Sequence, residues 1–191
     1  LVAICCLRGA ACLYQGSELA LPEATLDFDQ LQDPYGREFW PAYKGRDGAR
    51  TPMPWDAQAP HGGFSARDPW LPVPHAHLRR AVSVQDAQPG SPLNRLRRFL
   101  HWRRTQPALR HGTMTFHDAP ENVLAFTRSH RGQSVYCAFN LGPEDRCLCD
   151  PRIGGEDALE GHGFGCHADT AGLHLPAWGA WFGRPAGAAA A

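Results

Sequence analysis

Lys44-Gly45-Arg46-Asp47-Gly48-Ala49-Arg50-Thr51-Pro52-Met53-Pro54-Trp55 is a stretch that no packed helix or strand needs. Its two internal glycines and two prolines break any regular element, so it reads as a shaped loop. Three cations, one carboxylate and a terminal tryptophan in such a loop suit a polar, ring-shaped ligand. Alone, the same residues also describe a solvated surface loop, because loops carry function only when a scaffold positions them.

The flanking sequence supplies that scaffold. Upstream lie Tyr14-Gln15-Gly16-Ser17-Glu18-Leu19-Ala20-Leu21-Pro22-Glu23, Gln32-Asp33-Pro34-Tyr35-Gly36 and Phe39-Trp40-Pro41. Downstream come Gly62-Gly63-Phe64 and Pro69-Trp70-Leu71-Pro72-Val73. In this order and spacing the segments resemble α-glucosidases of glycoside hydrolase family 13, the α-amylase family, in its oligosaccharide-cleaving branch. Ser17 stands where the family carries an acidic or amide residue, and Ala20 where it carries glycine. The resemblance covers about residues 1–140 and fades after Asp145.

Composition is compatible with this reading and excludes others. A chain of 191 residues makes one domain or two small ones and is long enough to bury a core. Net charge is zero, which argues against nucleic-acid or membrane-surface binding driven by bulk electrostatics. The six tryptophans suit stacking on sugar faces, and suit core packing equally well.

Leu1–Tyr14 is an apolar run broken by Arg8 and Gly9. It lacks the charged leader and cleavage site of a signal peptide, and it is shorter than the ~20 apolar residues of a membrane span. It reads as the tail of a buried helix (Leu1–Leu7), a tight turn and a buried strand (Ala10–Tyr14). A core element with nothing before it to pack against points to a truncated chain. The seven cysteines are odd in number and lack paired Cys-x-x-Cys spacing. They read as reduced, mostly buried small hydrophobes in a reducing, cytoplasmic setting. Cys147-Leu148-Cys149 puts both thiols on one face of a strand, too isolated for a metal, and His75-Ala76-His77 reads as solvated loop rather than a ligand pair.

Residues 20–90 are dense in proline, glycine and aromatics, with short helical turns expected. Ser91-Pro92 is an N-cap followed by proline at the first helical position, opening a helix that Pro107 ends. Leu93, Leu96, Phe99 and Leu100 form its apolar stripe, and Arg95, Arg97, Arg98, Arg103 and Arg104 ride its other faces. From Gly112 the period becomes two. Val123–Arg128 and Ser134–Asn140 flank the turn His130-Arg131-Gly132-Gln133, and Arg146–Cys149, Leu173–Leu175 and Ala180–Phe182 offer further strands. An Ala-rich tail after Pro185 is expected to fray.

The resemblance implies an α/β plus all-β architecture: the C-terminal end of a (β/α)8 barrel over residues 1–110, then a small antiparallel β-sandwich over 111–191. Residues 10–14 would be the eighth barrel strand and 91–106 the last barrel helix. Retaining glycosidases need two carboxyl groups about 5–5.5 Å apart. In this family those groups and a third carboxylate come from earlier strands, and Glu18, Asp27, Asp29, Asp33 and Asp47 match none of their positions. No catalytic residue, metal or cofactor is therefore expected within this chain. What carries over is substrate binding: an arginine contacting the innermost glucosyl unit, Arg50 first and Arg46 second, with Asp47 beside them. The implied partner is a maltose-like oligosaccharide. A non-catalytic relative of transporter heavy-chain type, and a sibling that transfers glucose or isomerises sucrose, are the alternatives.

Overall fold

A computed structural model describes residues 1–186 of the chain; all but the first residue of the tail expected to fray lies outside them. The chain divides into two compact units, one of Leu1–Cys12 with the residues from Arg97 onward, the other of Leu13–Leu96.

The chain enters through α1 (Val2–Cys6), within the expected helical run. The expected strand at Ala10–Tyr14 does not form: these residues are exposed and belong to no ladder. A parallel strand takes its hydrogen bonds from neighbouring strands, and none of the described residues pairs with this segment.

The Leu13–Leu96 unit has no sheet. It is built from 3-10 turns and three short helices, α2 (Pro34–Glu38), α3 (His75–Leu78) and α4 (Val82–Asp86). Without ladders, its backbone groups are satisfied by turn and loop bonds between main-chain groups and by side chains. Buried Gln85 does this three times: its Nε2 donates to Leu19 O at 2.8 Å and Arg80 O at 3.0 Å, while its Oε1 accepts from Leu93 N at 3.1 Å. His77, read from the sequence as solvated, is buried between Thr51 Oγ1 at 3.2 Å and Pro22 O at 2.8 Å, where it braces the loop. Two small apolar clusters complete the unit, one around Leu19, Met53 and Leu93, the other around Leu26, Leu31 and Leu71.

Helix α5 (Pro92–Arg104) begins as its sequence dictates, with Ser91 Oγ accepting the Asn94 N–H at 3.2 Å. Leu93, Leu96 and Phe99 are buried, Leu100 is half-buried, and Trp102 joins the apolar stripe. Pro107 ends this helix and also starts another, α6 (Pro107–His111), occupying the first turn where a missing N–H costs nothing.

Among the described residues eight antiparallel strands follow: β1 (Thr113–His117), β2 (Val123–His130), β3 (Gln133–Asn140), β4 (Arg146–Leu148), β5 (Ile153–Ala158), β6 (His167–Asp169), β7 (Gly172–Leu175) and β8 (Ala180–Pro185). They form one sheet in the order β1-β2-β3-β8-β5 and another in the order β4-β7-β6. The β2–β3 hairpin closes on Arg131 and Gly132 at φ 46° and 87°, as a primed two-residue turn requires. Ala125, Tyr136, Ala138 and Trp181 of the larger sheet share a core with Leu148, Leu173 and Leu175 of the smaller one, which makes a sandwich.

One cation sits inside this packing. Arg128 on β2 is 1% exposed. Its Nη1 donates to Cys6 O at 2.5 Å, Nη2 to Gly112 O at 2.9 Å and Nε to Thr113 O at 3.1 Å. Arg103 Nε donates to Cys5 O at 2.6 Å. The two guanidinium groups thus take up carbonyls at the end of α1 that the helix itself leaves unpaired. Burial pulls the Arg128 pKa below its usual value, though guanidinium stays protonated.

All seven cysteines are free thiols. They are less buried than the sequence reading had them: Cys5, Cys6 and Cys137 are buried, Cys166 is half-buried, and Cys12, Cys147 and Cys149 are exposed. Strand β4 turns Cys147 outward, and Cys149 follows just beyond its end. No helix among the described residues is long and apolar enough to cross a membrane.

Candidate functional site

The loop of Arg46–Arg50 is held by two carboxylates that bind each other's segments. Asp33 caps α2: its Oδ1 accepts the Tyr35 N–H at 3.1 Å, and Pro34 fills the first turn. Its Oδ2 accepts the backbone N–H of Arg46 at 3.0 Å and the Arg46 Nε at 2.9 Å. Asp47 answers in reverse. Its Oδ2 accepts the N–H groups of Gln32 at 2.6 Å and Asp33 at 2.7 Å, and its Oδ1 accepts Arg50 Nη2 at 2.5 Å. Gly48 allows the loop to approach this closely: a Cβ there would lie 2.4 Å from Ala24 O, whose own N–H donates to Gly48 O at 3.0 Å.

Both carboxylates are fully buried, while the side chains of Arg46 and Arg50 are 63% and 32% exposed. The Arg46 side chain is the main influence holding the Asp33 carboxyl down to about 2. For Asp47, burial opposes ionisation, but the Asp33 and Gln32 N–H groups and the Arg50 guanidinium outweigh it and keep the pKa low. Both groups are therefore anions near neutral pH. They hold arginines in place and have no proton to give, so neither suits general-acid work. Every carboxylate oxygen of the pair already accepts a hydrogen bond from the protein.

Arg50 is the more enclosed of the two arginines. Its guanidinium carbon lies 5.4 Å from the centre of the Trp70 ring, and its Nη2 is 3.8 Å from Asp33 Oδ2. Its Nε is buried without a hydrogen-bond partner among the described residues. Trp70 also lines a groove of about 510 Å³ together with Gln30, Gln32, His61 and Asp68. A smaller hollow of about 200 Å³ lies against Tyr14, Gln15, Glu23, Thr51 and His77. An exposed indole and amide side chains along one groove, with an anchored guanidinium over that indole, form a surface suited to hydroxyl-rich rings.

The structure thus gathers Arg46, Asp47 and Arg50 into one cluster and adds Asp33, which by sequence is only a carboxylate off the catalytic positions. A signal was available: Asp before Pro at the start of a short helix marks an N-cap. That signal predicts the Tyr35 contact and says nothing of Arg46, 13 residues away.

Asp33 carries a pH dependence. A carboxyl held at about 2 in the folded chain, against an ordinary value of about 3.9, favours the folded state above pH ~4 and loses that contribution as pH falls through ~2. Denaturant titrations between pH 5 and 2 should show stability falling with acid in the natural chain. In Asp33→Asn the curve should start lower and run flatter, and parallel curves would rule the coupling out.

Residues 1–112 match the family described as alpha amylase, catalytic domain, and the chain belongs to that family. It is 49% identical over 180 residues to a probable alpha-glucosidase of Rhizobium meliloti (strain 1021), covering 93% of this chain and 32% of that protein. It is 29% identical over 155 residues to an oligo-1,6-glucosidase of Halalkalibacterium halodurans, covering 71% of this chain and 27% of the relative. Among solved structures, the alpha-glucosyl transfer enzyme XgtA superposes with a TM-score of 0.89 at 44% identity, over 96% of this chain and 34% of that one. The chain spans about a third of the length of these relatives.

Proposed function

We propose that this chain is the C-terminal third of an α-glucosidase that releases terminal α-linked glucose from short oligosaccharides with retention of configuration. On this reading residues 1–110 close the catalytic barrel and 111–191 form the C-terminal domain. The chain supplies the loop that grips the innermost glucosyl unit, while the reacting carboxylates come from the preceding part of the protein. The observation that carries the reading is the Arg46–Arg50 loop itself, locked by Asp33 and Asp47 so that Arg50 is fixed over Trp70 beside a groove. Guanidinium donors held at fixed positions suit paired hydrogen bonds to adjacent sugar hydroxyls. Seven free thiols support a reducing, cytoplasmic location.

The test uses the intact protein with maltose, following glucose release and the anomer first formed by NMR. Release of α-glucose supports the proposal; β-glucose overturns retention, and no release overturns hydrolysis. A second reading, glucosyl transfer, draws on the 44% identity to the transfer enzyme. Adding an alcohol acceptor separates the two, since a transferase makes glucoside in preference to free glucose.

The 191-residue chain alone should hydrolyse nothing. Incubated with p-nitrophenyl α-glucoside, it is expected to match a protein-free control. Release abolished by a substitution within residues 1–191 would place reacting groups inside this chain.

A further inference from the structure

The outer face of the three-stranded sheet carries a set of metal-type donors remote in kind from the arginine loop. Antiparallel pairing places Cys147 of β4 opposite His174 of β7, and His174 opposite His167 of β6. One step along the same face, Asp169 lies opposite Gly172, and Cys149 follows Cys147 by two residues. The alternate residues Leu148, Leu173 and Leu175 point into the sandwich core. Strand alternation has therefore sorted this small sheet into a leucine face and a face of two imidazoles, one carboxylate and two thiols.

The donors converge. Ligand atoms of His167, Asp169 and His174 all lie within 4.8 Å of one another. The two imidazoles stack with centroids 4.7 Å apart and planes at 14°. Asp169 Oδ1 is occupied by the Ala171 N–H at 2.8 Å, which turns Oδ2 toward His174 Nε2 at 3.1 Å. Both thiols bend toward Ala171 O, Cys147 at 3.6 Å and Cys149 at 3.1 Å. Gly172, at φ 136°, keeps the middle of the patch open: a Cβ there would stand 3.1 Å from Cys147 Sγ and 3.3 Å from Cys149 Sγ.

We propose that His167, Asp169 and His174 form a surface site for a divalent transition metal of the zinc class, with the Cys147 thiolate as fourth ligand. Imidazole nitrogen, carboxylate oxygen and thiolate sulfur are the ligands zinc takes in tetrahedral sites, at about 2.0–2.3 Å. Such a tetrahedron sets ligand atoms roughly 3.3–3.8 Å apart. The spread of the three ligands closes to that by side-chain rotation, and the strand register sets Cys147 directly beside His174. Calcium and magnesium prefer all-oxygen shells and do not suit these donors. Asp169 is pre-oriented by Ala171, as carboxylate ligands are by their outer partners. The competing account is a plain cross-strand His174–Asp169 ion pair beside stacked rings.

The experiment titrates Zn²⁺ into the reduced, metal-free 191-residue chain by calorimetry, and Co²⁺ by absorption spectroscopy. The expected result is one site, a tetrahedral Co²⁺ spectrum and a thiolate-to-cobalt charge-transfer band. His174→Gln and Asp169→Asn should each weaken Zn²⁺ by at least the ~10–100-fold typical of losing an outer-shell partner. Cys147→Ser should abolish the charge-transfer band, whereas His101→Gln, on exposed α5 surface, should change nothing. No Zn²⁺ binding, or binding that survives both His174→Gln and Asp169→Asn, overturns the site. A tetrahedral spectrum without the sulfur band removes Cys147 from it. Circular dichroism checks the fold of each variant; if His174→Gln disturbs the sheet, Asp169→Asn decides alone.

Discussion

Replacing Arg50 with alanine in the intact enzyme is expected to lower kcat/KM on maltose about ten- to hundredfold, while Arg37→Ala leaves it within about twofold. The difference follows from how the two side chains are held. Arg50 is anchored by Asp47 at 2.5 Å, lies over Trp70 and is only 32% exposed. On the proposed reading it donates to the glucosyl unit as that unit distorts toward the transition state. A charged hydrogen bond in such a place is worth about 1.5–3 kcal/mol, and each ~1.4 kcal/mol is a factor of ten in rate. Arg37 is exposed, donates to Leu31 O at 3.0 Å and lies over Phe28, contacts that join α2 to the 3-10 turn before it. If generic loop charge were all that mattered, the two variants would lose alike. Equal kinetics for both would make Arg50 a structural residue, and Arg46→Ala should then show the loss. Arg50→Lys separates charge from geometry: lysine keeps the cation and loses the planar fork, so activity should recover only in part.

Arg128→Ala is expected to be the most destabilising single change in the sandwich, by about 3–5 kcal/mol. Its three bonds end on the carbonyls of Cys6, Gly112 and Thr113, so truncation leaves buried acceptors without donors. Each unsatisfied buried group costs roughly 1–3 kcal/mol, and the vacated volume adds to that. Arg128→Lys keeps the charge but cannot span three divergent carbonyls, and should lose about half as much. Arg131→Ala, in the hairpin turn itself, removes an exposed side chain and should fall within about ±0.5 kcal/mol. Guanidinium chloride denaturation followed by far-UV circular dichroism measures all three. An Arg128→Ala loss below about 1 kcal/mol would mean that water or a shifted strand satisfies those carbonyls.

Much of this protein was legible from local sequence. Ser91-Pro92 specified where α5 starts, because an N-cap oxygen and a fixed proline φ act within one turn. Arg131-Gly132 between two alternating runs specified the β2–β3 register, because a two-residue turn leaves only one pairing. The Arg46–Arg50 loop announced itself by its glycines and prolines, and its family by its spacing to Gln32–Gly36 and Pro69–Val73.

Other features depended on distance in space. Ala10–Tyr14 has the composition of a buried strand, yet a parallel strand exists only through its neighbours, and composition cannot supply them. Nothing near Asp33 in sequence pairs it with Arg46, and nothing near Arg128 marks it as the donor to the end of α1, 122 residues away. His77 and Gln85 look like polar loop residues until the fold encloses them and gives every polar atom a partner. Cys147, His167, Asp169 and His174 are scattered through three short strands, of which β6 overlaps no strand that the sequence offers. Alternation could say which way each side chain faces within its strand. Only the pairing of β4, β7 and β6 could set them side by side. Sequence alone determined the turns, caps and family of this chain, since those depend on residues a few positions apart. Tertiary structure alone decided which charges meet and which donors converge, since those contacts join segments that only the folded chain brings within bonding distance.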